Sequence, residues 1–180
     1  MDVTELIRAD HDALREMLDK LKSGDAAQRA LLLPVVSSMV VSHSRAEESQ
    51  VYPVAREEAG EPDEVAHSQE EHAEAEQVLA QLCDSDPGSR QFEDTLSELA
   101  GDLTHHMEDE EESVLPGMAE RLSAQRLDEL GRAFLATRRE HWGDAPMQPT
   151  RDDLVTQARN AGVQGASSMS KSELEDEVTP

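Results

Sequence analysis

The stretch HSRAEESQVYP, residues 43–53, returns in outline as HMEDEEESVLP, residues 106–116. Both copies run histidine, three residues, Glu-Glu, two residues, Val-x-Pro, so Glu47-Glu48 stand to His43 as Glu110-Glu111 stand to His106. A second phrase precedes each copy: Asp10-His11-x-x-Leu14-x-x-Met17-Leu18-x-x-Leu21 is matched by Glu71-His72-x-x-Ala75-x-x-Val78-Leu79-x-x-Leu82. The chain reads as a helix pair written twice, each pair bearing one histidine and then one His-x-x-x-Glu.

Apolar period and punctuation predict five helical segments. The first covers Val3 to Lys22 and ends at Ser23-Gly24, with a stripe of Val3, Ile7, Leu14, Leu18 and Leu21. His11 fills the gap in that stripe, so it points where the core should be. The second runs from a cap at Asp25 to Tyr52, with Pro34 as a kink or restart. Its inward face is Leu32, Val36, Met39, His43 and Glu47. The third, Asp63 to Cys83, carries Val65, His72, Ala75, Leu79 and Leu82 on one face. The fourth, Arg90 to Leu115, leads through Phe92, Leu96, Leu99 and Leu103 into His106 and Glu110. A fifth, Ala124 to Arg139, begins at the cap Ser123 and should pack across the others.

Positions i and i+4 lie about 40° apart around a helix, so His43 with Glu47 and His106 with Glu110 each offer two ligands to one side. Four antiparallel helices would turn such faces toward a common axis. Buried imidazole and carboxylate groups cost several kcal/mol without partners, and coordinating a cation removes that cost. Nitrogen and oxygen donors without thiolate favour iron, manganese or zinc. Glu47 and Glu110, one from each half, are placed to bridge two metals, with His11, His43, His72 and His106 as terminal ligands. The tetrapeptide alone carries little weight in so acidic a chain, because His67 with Glu71, His72 with Glu76 and His105 with Asp109 repeat it. His67, His105 and His141 fall off the stripes and are expected at the surface. Glu76 is read either as a seventh ligand or as a solvated glutamate. Tyr52 falls on the far side of an ideal helix from His43 unless Pro53 distorts the turn.

These motifs resemble the hemerythrin-like HHE cation-binding family: a histidine on helix one, His-x-x-x-Glu on helix two ending in Tyr-Pro, a histidine on helix three and His-x-x-x-Glu on helix four. The likeness covers about residues 3–120. It implies an all-α, up-down-up-down antiparallel four-helix bundle around a non-haem di-iron centre, two iron ions with an oxo or hydroxo bridge. Ligation would fall to His11, His43, Glu47, His72, His106 and Glu110. Oxygen-carrying members place a further histidine where this chain has Glu76, and their last carboxylate, an aspartate, lies five residues after its histidine rather than four. The departures weigh against reversible oxygen carriage. They favour a centre that reacts with peroxide or dioxygen, with catalase-like peroxide removal in oxidative stress as the expected role. The alternative is a non-catalytic sensor or binder of dioxygen, nitric oxide or iron.

Length and charge bound the rest. The 180 residues are expected to divide into a bundle over 1–142, a linker over 143–150 and a small helical module or spacer over 151–180. A formal charge of −24 argues against nucleic acid or an anionic membrane surface as partner of the bundle. The lone Cys83 gives no sign of an oxidising compartment. No apolar run approaches the roughly 20 residues of a membrane span, and the start of the chain does not read as a signal peptide, so the cytoplasm is expected. The tail, with Asp153-Leu154, Gly162-Val163-x-Gly165 and Met169-Ser170-Lys171-x-Glu173-Leu174, resembles SAP-like and transcription-terminator N-terminal modules. Its three basic and six acidic residues point to a protein partner or a spacer rather than to nucleic acid.

Overall fold

The computed structural model describes residues 1–178. The helices are α1 (Val3–Ser23), α2 (Ala26–Ala46), α3 (Tyr52–Glu57), α4 (Pro62–Asp84), α5 (Arg90–Glu112), α6 (Val114–Arg121), α7 (Ala124–Glu140), α8 (Arg151–Asn160) and α9 (Lys171–Val178). Among the described residues there is no strand, and no helix is long and apolar enough to cross a membrane.

Helix starts follow from capping side chains, which satisfy amide groups left free in the first turn. Asp2 accepts from the Thr4 amide, and Ser89 and Ser123 accept from those of Phe92 and Arg126. Asp25 and Gln28 cap α2 reciprocally, as Thr150 and Asp153 cap α8. Pro34 lies inside α2 without ending it. The inward face of α2 is Leu33, Val36, Val40 and Val41, so Leu32 and Met39 are only partly buried.

Helices α1, α2, α4 and α5 pack as a four-helix bundle: α1 against α2 and α5, α4 against α2 and α5. The fifth long helix, α7, lies across α1 and α2. One apolar cluster fills one end of the bundle, drawing on Leu14, Leu18, Val36, Leu79, Leu99 and Leu103. A second fills the other, with Val3, Ile7, Val51, Tyr52, Val65, Leu115 and Phe134. His11 falls between Ile7 and Leu14, His72 between Val65 and Ala75, and His106 between Leu103 and Val114. The polar residues thus form one layer between two apolar clusters.

Two long helices of the sequence reading are broken in the structure. After Ala46 the second widens into a π-helical turn, Glu47–Val51, before resuming as α3. The fourth stops at Glu112, and α6 continues after Ser113. Residues 151–178 build a small cluster of their own from Leu154, Val155, Ala158, Ala166 and Leu174. Residues 179 and 180, the end of the expected 151–180 module, lie outside the described residues. The module rests on α3, α4 and the π-turn.

Candidate metal centre

All six sequence-predicted ligands, His11, His43, Glu47, His72, His106 and Glu110, are buried, and α1, α2 with its π-turn, α4 and α5 bring them together. One donor atom from each of His11, His43 and Glu47 lies within 4.8 Å of the others, and the same holds for Glu47, His72 and His106. Glu47 belongs to both groups. Its Oε1 lies 3.0 Å from His43 Nε2 and its Oε2 3.4 Å from His72 Nε2. Glu110 Oε2 spans the same gap from the other side, 3.5 Å from His11 Nε2 and 4.0 Å from His106 Nε2.

Whether these residues suit a cation is answered by their unmet hydrogen-bonding capacity. Among the described residues, the buried side-chain atoms without a hydrogen-bond partner are His11 Nε2, His43 Nε2 and both oxygens of Glu47 and Glu110. Every one belongs to the predicted ligand set. Native proteins pair nearly all buried polar atoms, so a concentration of orphans at one point marks a place built for a charged guest. The residues fit metal held by nitrogen and oxygen donors.

Each imidazole is also held from behind. His11 Nδ1 lies 2.9 Å from Glu111 Oε1, and His106 Nδ1 lies 3.0 Å from Glu71 Oε2. His43 Nδ1 lies 3.3 Å from Asp10 Oδ2, and His72 Nδ1 3.4 Å from Glu48 Oε1. An ionised carboxylate can only accept, so each Nδ1 carries a proton and each Nε2 faces inward. This arrangement orients ligands and raises their basicity in metal sites generally. The sequence reading missed these four acids, yet its own repeat contained them. Asp10 and Glu71 precede His11 and His72, while Glu48 and Glu111 follow Glu47 and Glu110. Each acid supports the histidine of a neighbouring helix, a pairing that adjacency in sequence conceals.

Burial and charge divide the site. Burial and the nearby His43 push His11 down to about 2, and burial with the neighbouring His72 lowers His106. Burial would also lower His43, but Glu47 and Asp10 hold it up at about 10. His72 is likewise raised to about 9 against burial by Glu47 and Glu48. Burial and the facing Glu47 raise Glu110 well above the carboxylate range. For Glu47 burial acts upward, and His43 and His72 more than reverse it, leaving the carboxyl well below its usual value.

Tyr52 is fully buried with its hydroxyl 3.1 Å from His72 Nε2. The π-turn explains why ideal helical geometry puts it on the wrong side. One extra residue in the turn delays the helix by roughly 100°, which swings the phenol back toward the centre. Burial and the carboxylates of Glu110, Glu47 and Glu48 raise its pKa well above the usual phenol value. Glu76 turns away instead. It takes two contacts from Arg45 Nη2, at 2.7 and 2.9 Å, and accepts from the Met147 amide at 2.7 Å. The solvated alternative fails too, because Glu76 is buried in this ion pair.

On the α7 side, Phe134 meets the His43 ring edge-on at 5.6 Å, and Arg138 pairs with Asp10. A small recess lined by Asp10, Leu14, Met39, His43 and Arg138 lies beside His43. On the opposite side, α8 closes over Glu48. Gln157 Nε2 donates to Glu48 Oε2 at 3.0 Å, and Asn160 Nδ2 donates to the Glu48 carbonyl at 2.9 Å.

The family model of the hemerythrin HHE cation binding domain matches residues 2–141. A DNA nickase from Nostoc sp. (strain PCC 7120) is 24% identical over 139 residues, covering 77% of this chain and 39% of that protein. The chain therefore spans well under half of that relative's length. No solved structure matches. With the family model covering the whole bundle, and a buried His/Glu layer that fits a cation, the chain belongs to the hemerythrin HHE cation-binding domain family.

Proposed function

We propose that the chain holds two iron ions and consumes peroxide. His11 and His43 would hold one ion, His72 and His106 the other, and Glu47 and Glu110 would bridge them. The observation that carries this reading is the set of unpaired buried atoms, drawn from both halves of the repeat and converging on one layer. Bound there, redox-active ions supply the electron exchange by which peroxide disproportionates to water and dioxygen without an outside reductant. The chain's own residues do the rest. Apolar clusters flank the layer on either side, and the recess beside Asp10 and Arg138 is where a small molecule would approach His43. Tyr52 keeps its proton and stands within reach of the space between the ligands, so it is the group placed to protonate a departing oxygen. The test is oxygen evolution from peroxide by the iron-loaded protein, against free iron at the same concentration. Turnover above that control supports the reading. None would remove the enzymatic half and leave a cation-binding protein.

A second reading, a sensor whose output is the C-terminal module, is favoured by one set of contacts. Glu48 touches His72 with one oxygen and Gln157 with the other, so α8 is linked to the centre through a single carboxylate. A change of charge at His72 would then alter how tightly α8 is held. This reading predicts that hydrogen exchange across residues 151–178 changes several-fold between the reduced and oxidised protein. Equal exchange in both states would leave the module as a passive cover.

The nicking activity named for the Nostoc relative belongs to a much longer protein. A chain of formal charge −24 repels the phosphate backbone, and DNA is not proposed as its substrate.

A further inference from the structure

The four acids behind the inner histidines are not neutralised alike. Glu111 is met by Arg15 at 3.0 Å, Glu48 by Arg45 at 3.0 Å, and Asp10 by Arg138. Among the described residues, no arginine pairs with Glu71. It faces two imidazoles instead: its Oε1 lies 3.5 Å from His67 Nε2 and 4.0 Å from His105 Nε2. Asp109 Oδ2 completes the group, 3.7 Å from each of the same two nitrogens.

His67-x-x-x-Glu71 on α4 and His105-x-x-x-Asp109 on α5 thus face each other as two i,i+4 pairs on packed helices. One donor atom from each of the four lies within 4.8 Å of the others. Ligands bound to zinc at about 2.0–2.1 Å in a tetrahedron stand about 3.3 Å apart. The four His-to-carboxylate separations of 3.5–4.0 Å therefore need to close by about 0.2–0.7 Å. His67 and His105 are exposed and free to make that adjustment, while Glu71 is fixed by its contact with His106.

We propose that His67, Glu71, His105 and Asp109 form an outer site for one divalent transition-metal ion. It is four-coordinate with two nitrogen and two oxygen donors, the donor set of zinc and its neighbours. The ion occupies the place that arginine takes beside the other three supporting acids. Because Glu71 Oε2 lies 3.0 Å from His106 Nδ1, the outer ion shares a carboxylate with an inner imidazole. Filling the outer site draws charge from Glu71 and weakens its hold on His106, which tunes the inner centre. That coupling rests on the inner di-metal reading, but the outer site does not.

The test is titration of the iron-loaded full chain with zinc, beside the His67→Ala/His105→Ala double variant. Both substituted side chains are exposed, so circular dichroism and melting should match the parent chain. The parent is expected to take up one more zinc per chain than the variant. In a parallel titration with cobalt(II), the strong visible absorption of a four-coordinate ion should appear in the parent and be absent from the variant. Asp109→Asn, which touches none of the inner ligands, should weaken that uptake without changing the iron content. If the inner centre fails to load, the difference of one equivalent should persist. Equal uptake by both chains, with no four-coordinate cobalt spectrum in the parent, would overturn the proposal.

Discussion

Removing the bound cation with a chelator is expected to lower the melting temperature by about 10 °C. The energetic reason lies in the layer between the two apolar clusters. Among the described residues, His11 Nε2, His43 Nε2 and the oxygens of Glu47 and Glu110 have no hydrogen-bond partner, and an apolar cluster flanks them on either side. A cation that binds the folded chain at a thousandfold excess over its dissociation constant stabilises it by about 4 kcal/mol. For a domain of this size each kcal/mol moves the midpoint by about 2–4 °C. Differential scanning calorimetry before and after chelation, with re-addition of iron as the control, checks the expectation. An unchanged midpoint would mean that the bundle folds independently of metal and that the layer is held by its internal ion pairs.

Tyr52→Phe is expected to slow peroxide consumption about 100-fold while leaving the metal content intact. The phenyl ring keeps the packing that Tyr52 contributes to the second apolar cluster, and only the hydroxyl beside His72 is lost. A well-placed proton donor is worth roughly 10²–10⁴ in rate. Steady-state oxygen evolution and metal analysis on the same preparation separate the roles. Full activity in the variant would remove Tyr52 from the proton path. Loss of a visible charge-transfer band along with the hydroxyl would instead identify the phenol as a metal ligand.

The inner layer was legible because burial follows helical period. His11 stands in a gap of the α1 stripe, and His43, His72 and His106 continue stripes on their own helices, so one rule located all four. The caps Asp25 and Ser123 were equally readable, since both act within three residues of themselves. Tyr52 was not readable, because its direction depends on a π-turn that no periodicity announces. The second acid of each Glu-Glu pair was visible in the repeat, but its partner lies on another helix and only the fold supplies it. Glu76 illustrates the same limit. Its spacing from His72 suits a ligand, and Arg45 and the Met147 amide draw it the other way. His67 and His105 were correctly expected at the surface, but their convergence on Glu71 and Asp109 depends on the pairing of α4 with α5.

The most direct test of the central claim is elemental analysis of the aerobically purified protein, with the outer site emptied by the His67→Ala/His105→Ala substitutions. Two iron atoms per chain, lost together when His43 or His106 is replaced by alanine, is the result this account predicts. A chain that holds no metal after anaerobic loading with ferrous iron would contradict it, and the buried histidines would then be structural.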